Sequence, residues 1–253
     1  MIREPVVAGQ FYPATAAPLK SILARLVNED AEKEDVIGLV SPHAGYIYSG
    51  AVAGAVISRI EFKDTFILLG PNHTGKGKPF SIMTAGSWRT PLGKVRIDTR
   101  LARHILEKSS SLENDSVAHQ SEHSLEVQLP FLQYFRPDIK IIPIILTQTS
   151  GATLQKIGME IALAIKESGR KVVILASSDM THYEPHDTAK EKDSKAIEAI
   201  LELDENKLLK RVNELDISMC GYAPAVVLIT AAKELGAKSA ELVKYQTSGD
   251  TSG

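Results

Sequence analysis

The sequence predicts an α/β protein of three layers, with helices on both faces of a central sheet. Short apolar runs of strand length alternate with longer stretches of helical periodicity along the 253-residue chain, the pattern of strands each followed by a covering helix. Several of those runs end abruptly in loops that carry a histidine, and open α/β sheets place ligand sites beyond the carboxyl ends of their strands.

Taken in order, Leu19, Ile22, Leu23, Leu26 and Val27 recur at helical spacing and give a first helix over about residues 18–28. VIGLVS (36–41) and TFILLG (65–70) are strand-length runs, and SGAVAGAVISRI (49–60) between them has the small residues of a closely packed helix. FSIMTAG (80–86) and WRTPLGKVRI (88–97) read as strands, the second folding at Pro91-Leu92-Gly93. Asp98 caps a helix running to Lys108. HSLEVQLPFLQYF (123–135) is apolar on one side, and Pro130 either kinks it or begins a new turn. IKIIPIIL (139–146), VVILAS (172–177) and AELVKYQ (240–246) are further strands. Helices fill 151–168, 188–203, 205–214 and 223–235. No repeat or linker divides the chain, so one domain over 1–253 is expected.

Composition bounds the function. Hydrophobic residues make up 43% and charged residues 24%, as in ordinary globular proteins. Net charge is −2, from 29 basic and 31 acidic residues, and no long basic block suggests nucleic acid as a partner. Apolar stretches fall short of the roughly 18 residues a membrane span needs. The N-terminus lacks the build of a signal peptide. A single cysteine, Cys220, excludes an intrachain disulfide and fits a reducing cytoplasm.

Three loops carry the candidate chemistry. VIGLVS runs into Pro42-His43-Ala44-Gly45, FILLG into Pro71-Asn72-His73-Thr74-Gly75, and VVILAS into Ser178-Asp179-Met180-Thr181-His182. One histidine in a loop is usually a hydrogen-bonded loop residue; three delivered from strand ends are candidates for one shared site. Two other clusters compete. His119-Gln120-Ser121-Glu122-His123 matches the H-x-x-E-H zincin pattern, but a helix starting near His123 would leave His119 outside it and destroy the required spacing. Cys220 precedes Gly221 at an expected helix start, where a thiolate would be stabilised, although a lone cysteine is more often an inert buried residue.

The chain resembles the Memo family. The matching segments are REPVVAGQFYPA, SPHAGYIYSG, GPNHTG, WRTPLGKVRID, EHSLEVQLPFLQY, SSDMTHY, CGYAPAVVLI and YQTSGD, in family order over almost the whole chain. The resemblance implies a three-layer αβα sandwich with a central mixed sheet, similar to class III extradiol (LigB-type) dioxygenases, the non-haem iron enzymes that open catechol rings. It implies His43, His73 and Cys220 as metal ligands, with His123, Asp179 and His182 lining the same cleft. The implied cofactor is a divalent metal, iron foremost, with copper or zinc as alternatives because a thiolate stands where the dioxygenases place a carboxylate. Prokaryotic members are often encoded near a radical-SAM protein, so association with that system is the partner expectation. Family members usually continue beyond the segment corresponding to Asp250-Thr251-Ser252-Gly253 into a further strand, whose absence would expose a sheet edge. Three functions follow: a redox-active metal enzyme with His182 as base, a non-catalytic module holding a small ligand or peptide in the same cleft, and a metallohydrolase on His119, Glu122 and His123.

Overall fold

The computed structural model describes residues 1–252, whose middle layer is a nine-stranded sheet. Ile2–Arg3 (β1) opens it. The first helix, Ala16–Leu26 (α1), buries Leu19 and Leu23, one turn apart. Gly38–Ser41 (β2) leads into Tyr46–Ser58 (α2), whose small residues let α1 approach: a Cβ on Gly54 would lie 2.1 Å from the Leu26 carbonyl oxygen. Thr65–Pro71 (β3) is buried throughout, as a strand covered on both faces must be. Phe80–Ile82 (β4) is shorter than the strand expected over 80–86, because the chain turns through Gly86 (φ +111°) into the next hairpin. That hairpin joins Ser87–Thr90 (β5) to Gly93–Ile97 (β6).

Asp98 caps Thr99–Lys108 (α3), its carboxylate accepting the Leu101 N–H at 3.2 Å. Glu113–Asn114 (β7) and the single turn Val117–Gln120 (α4) follow, neither foreseen from periodicity. The apolar stretch 123–135 divides into a 3₁₀ turn, Glu126–Gln128, and Leu129–Phe135 (α5). Pro130 stands in the first turn of α5, where a missing N–H breaks no bond. Lys140–Leu146 (β8), Gly151–Ser168 (α6), Val173–Ser177 (β9), His186–Leu201 (α7), Glu205–Glu214 (α8) and Tyr222–Glu234 (α9) lie close to the expected spans. Gly249–Ser252 (α10) is a last short turn.

The sheet order is β1-β5-β6-β8-β3-β9-β2, with β4 pairing β8 and β7 off that path. From β6 to β2 every neighbouring pair is parallel, whereas β5/β6 and β4/β8 are antiparallel, so the sheet is mixed. Side-chain alternation separates the two helical layers. A Cβ on Gly38 would strike Leu228 of α9, while Ser41, three residues on and facing the other way, hydrogen-bonds Gln128. With α9 stand α3, α6 and α8; with the 3₁₀ turn stand α1, α2 and α5. This is the expected three-layer sandwich.

One feature departs from the sequence reading. Residues 240–246 form no strand and join no sheet neighbour; together with β2 they line a cavity of about 1420 Å³. The outer edge of β2 therefore ends the sheet path among the described residues. At the other end, the N-terminal segment is tied down by Glu126, which is fully buried. Its carboxylate pairs with Arg3 and accepts from the Val6 and Val7 N–H groups and the Tyr12 hydroxyl. Arg3 also lies 4.5 Å over the Trp88 ring. No helix among the described residues is long and apolar enough to cross a membrane.

Candidate metal centre

Strands β3, β9 and β2 are parallel neighbours in register, so their carboxyl ends form one rim. Two residues beyond each strand end stand His73, Asp179 and His43. His123 enters from the segment between α4 and the 3₁₀ turn. Cys220 arrives on the residue before Gly221, the N-cap of α9. Only a glycine fits there: a Cβ on Gly221 would lie 2.4 Å from both the Ser177 carbonyl oxygen and Ser178 Cβ. That close approach presses Cys220 against the end of β9.

The rings of His43, His73 and His123 meet, with centroids 5.1 Å (43–73), 5.6 Å (43–123) and 4.9 Å (73–123) apart. One ligand nitrogen from each lies within 4.8 Å of the others, a group that could hold a divalent metal. Cys220 Sγ is 3.3 Å from His43 Nε2, and Asp179 Oδ2 is 3.9 Å from the same atom. Metal–sulfur and metal–nitrogen bonds of about 2.3 and 2.0–2.1 Å at a tetrahedral angle would separate the two donors by about 3.5 Å. The Cys220–His43 pair is already near that spacing. Asp179 Oδ1 accepts the His43 and Ala44 N–H groups at 2.7 and 3.2 Å, so this carboxylate fixes the loop.

Hydrogen bonds and burial set the protonation of these groups. Glu122, fully buried, accepts His73 Nδ1–H at 2.9 Å, the His73 backbone N–H at 2.7 Å and the Ser124 N–H at 2.9 Å. Burial works to raise the Glu122 pKa, but these hydrogen bonds, with His73 foremost, hold it at about 2. The carboxylate thus directs Nδ1–H of His73 away and leaves Nε2 for a ligand, the familiar carboxylate–histidine–metal arrangement. For His73 burial opposes the charge, yet the bond and charge of Glu122 prevail and raise its pKa. Burial lowers His43 to about 4 and also lowers His123, so both are neutral near pH 7. The Cys220 thiol is pushed up to about 12 by burial and then by Asp179. The helix start does not make it a free thiolate; a cation would have to displace its proton.

Other expected residues are placed differently. His182 is partly buried and lies outside the triad: its backbone N–H donates to Ser218 Oγ at 2.7 Å, and its Nδ1–H donates to the Ser218 carbonyl at 2.9 Å. Its Nε2 is then bare, and it lines the large cavity together with Asp179, Pro42 and Ala44. The H-x-x-E-H pattern builds no site. Helix α4 ends at Gln120, before Glu122 and His123. His119 is instead fully buried with its ring 6.0 Å from Trp88, and its Nε2–H donates to Ser81 Oγ at 2.9 Å. Glu122 serves His73 and not a zinc-bound water. Ser177, which meets His43 Nδ1, and Gln128, which donates to Ser177, went unforeseen; both are polar residues in otherwise apolar runs, and that was their only signal.

The profile of the Memo-like protein family matches residues 3–253. The chain belongs to the Memo-like family. Across its whole length it is 47% identical to a "MEMO1 family protein" of Methanococcoides burtonii, covering 95% of that protein. It is 44% identical to "MEMO1 family protein PAE0818" of Pyrobaculum aerophilum, again over the whole chain and 94% of the relative. Among solved structures, the uncharacterized protein JW3007 of Escherichia coli K12 aligns with a TM-score of 0.46 at 17% identity, over 65% of this chain and 74% of that one. In this Memo-like protein the segments SPHAGYIYSG, GPNHTG and SSDMTHY supply the three loops of the rim, and CGYAPAVVLI supplies the thiol and the start of α9.

Proposed function

We propose that this Memo-like protein holds one divalent metal ion on His43, His73 and Cys220, in a cleft of the non-haem iron dioxygenase kind. The observation that carries the reading is the pair of hydrogen bonds, His43 Nδ1 to Ser177 and His73 Nδ1 to Glu122, which leave the two Nε2 atoms for an ion beside the Cys220 sulfur. The donor set of two imidazoles and a thiolate accepts iron, copper or zinc. When bound, the ion supplies Lewis acidity and, as iron or copper, one-electron chemistry. His123 and Asp179 border the ion. His73 and His123 are partly exposed, which leaves the ion reachable by a small ligand. His182, whose Nδ1–H is held by the Ser218 carbonyl, would accept a proton at Nε2 from a ligand hydroxyl brought within hydrogen-bond reach.

Metal analysis of protein purified without oxygen tests the ligand set. His43→Ala, His73→Ala and Cys220→Ala are expected to lose the ion, while His119→Ala keeps full occupancy. Retention by His43→Ala with loss in His119→Ala would overturn the reading. Oxygen uptake with a panel of catechols then tests turnover, which His182→Ala should abolish. A second reading is a non-catalytic module that binds a ligand at the metal. It is favoured by Cys220, because oxygen chemistry beside a bound thiolate oxidises the sulfur. Loaded protein that turns over no catechol supports it; saturable turnover excludes it.

A further inference from the structure

The orientation of His43 is set by groups that lie behind it. His43 is 2% exposed, and Ser41, Ser124, Gln128 and Ser177 around it are fully buried. Its Nδ1 is 2.9 Å from Ser177 Oγ, and counting protons fixes which atom donates. The Ser177 hydroxyl has one proton, which it donates to the Ser124 carbonyl at 2.7 Å. One of its two lone pairs accepts Gln128 Nε2–H at 2.9 Å. The remaining lone pair can only accept, so His43 Nδ1 must carry hydrogen. The Gln128 amide is itself held one way round. Its Oε1 accepts from Ser41 Oγ at 2.9 Å, and the second Nε2 proton goes to the Pro42 carbonyl at 2.8 Å. A flipped amide would turn its oxygen toward that carbonyl.

We propose that Ser177 is a positioning residue that holds His43 as the Nδ1–H tautomer, with Gln128 and the Ser124 carbonyl fixing the hydroxyl. Its Nε2 lone pair is thereby presented beside Cys220 before any ligand arrives. Ser41 and Ser177 are register partners on β2 and β9, and Gln128 bridges them from the 3₁₀ turn. One glutamine thus ties two strand ends to the segment that carries His123. What Nε2 then binds rests on the metal-centre reading above; the tautomer itself does not.

Two measurements separate these claims. In metal-free wild-type protein with ¹⁵N-labelled histidine, NMR long-range correlations, assigned with His43→Gln, should show His43 protonated at Nδ1. Ser177→Ala should give Nε2–H or a mixture, and zinc affinity measured by chelator competition should fall by about 10–100-fold, the usual loss when a ligand's hydrogen-bond partner is removed. Ser177→Thr, which keeps the hydroxyl, should restore both. The proposal is overturned if wild-type His43 is protonated at Nε2. It is equally overturned if folded Ser177→Ala keeps the Nδ1–H signal with an affinity within about threefold of wild type. The wild-type spectrum needs no variant, so misfolding of Ser177→Ala cannot shield the claim. If His43→Ala binds zinc like wild type while the NMR result holds, the metal-centre reading fails and the tautomer assignment stands.

Discussion

Cys220 and a protonated His73 each have to release a proton on entering a metal complex, because ligands bind in their deprotonated forms. With the Cys220 thiol at about 12, its proton is present throughout the neutral range. Calorimetry near pH 8 in buffers of different ionisation enthalpy should therefore count about one more proton released by wild type than by Cys220→Ala. Equal counts would remove Cys220 from the ligand set. Affinity should also rise with pH through the His73 transition, which lies above its ordinary value. Away from the site, burial lowers His119 to about 3. Its folded pKa is below the unfolded value of about 6.5, so the unfolded chain binds the extra proton. Stability from this residue is complete above pH 6.5 and declines as pH falls toward 3, with a slope approaching about 1.4 kcal/mol per pH unit. Urea unfolding between pH 7 and 4 should show a shallower decline in His119→Phe; an unchanged slope would contradict the assignment.

At the scale of elements, the site depends on how closely the chain ends of β2, β3 and β9 are approached by α9 and by the 122–128 segment. Gly221→Ala puts a Cβ against the β9 backbone and forces α9 outward. Overpacking of this kind costs about 1–3 kcal/mol. The melting temperature should fall, and metal affinity should fall with it because Cys220 moves. A variant that melts lower but binds metal as wild type would show that Cys220 is not held by this contact. Glu126 acts on the same segment from the other side. Removing its carboxylate leaves Arg3 charged and buried, which costs about 3–5 kcal/mol. Glu126→Ala should thus be far less stable to urea, with the segment 1–12 exchanging amide hydrogens faster; a loss under about 1 kcal/mol would mean that Arg3 finds another partner.

Across the whole molecule, the parallel strands were legible because β3, β8 and β9 are continuous apolar runs, the pattern of strands buried on both faces. The cap at Asp98 and the helix α6 followed from local chemistry. Residues 240–246 have the composition of a strand, but a strand needs a neighbour, and sequence does not report that they line a cavity with β2 and pair with no strand. The short β1, β7 and α4 are held by distant contacts, such as Ile2 with Ser87, and carry no periodic signal. Of the site, His43 and His73 were readable because strand ends announce themselves; His182, marked the same way, lies outside the triad, and Asp179 and Cys220 were implied only by the family resemblance. The partners Glu122, Ser177 and Gln128 act across many residues of sequence, so only the folded chain reveals them. A ligand that binds only the folded form also stabilises it: zinc at about 100 times its Kd should add about 2.7 kcal/mol and raise Tm by about 5–10 °C, reversed by chelator.

The most direct test of the metal centre is X-ray absorption at the zinc edge of loaded wild-type protein and Cys220→Ala. The account predicts a shell with one sulfur at about 2.3 Å and imidazole nitrogens at about 2.0–2.1 Å, the sulfur vanishing in the variant. A shell of nitrogen and oxygen alone, identical in both proteins, would contradict it.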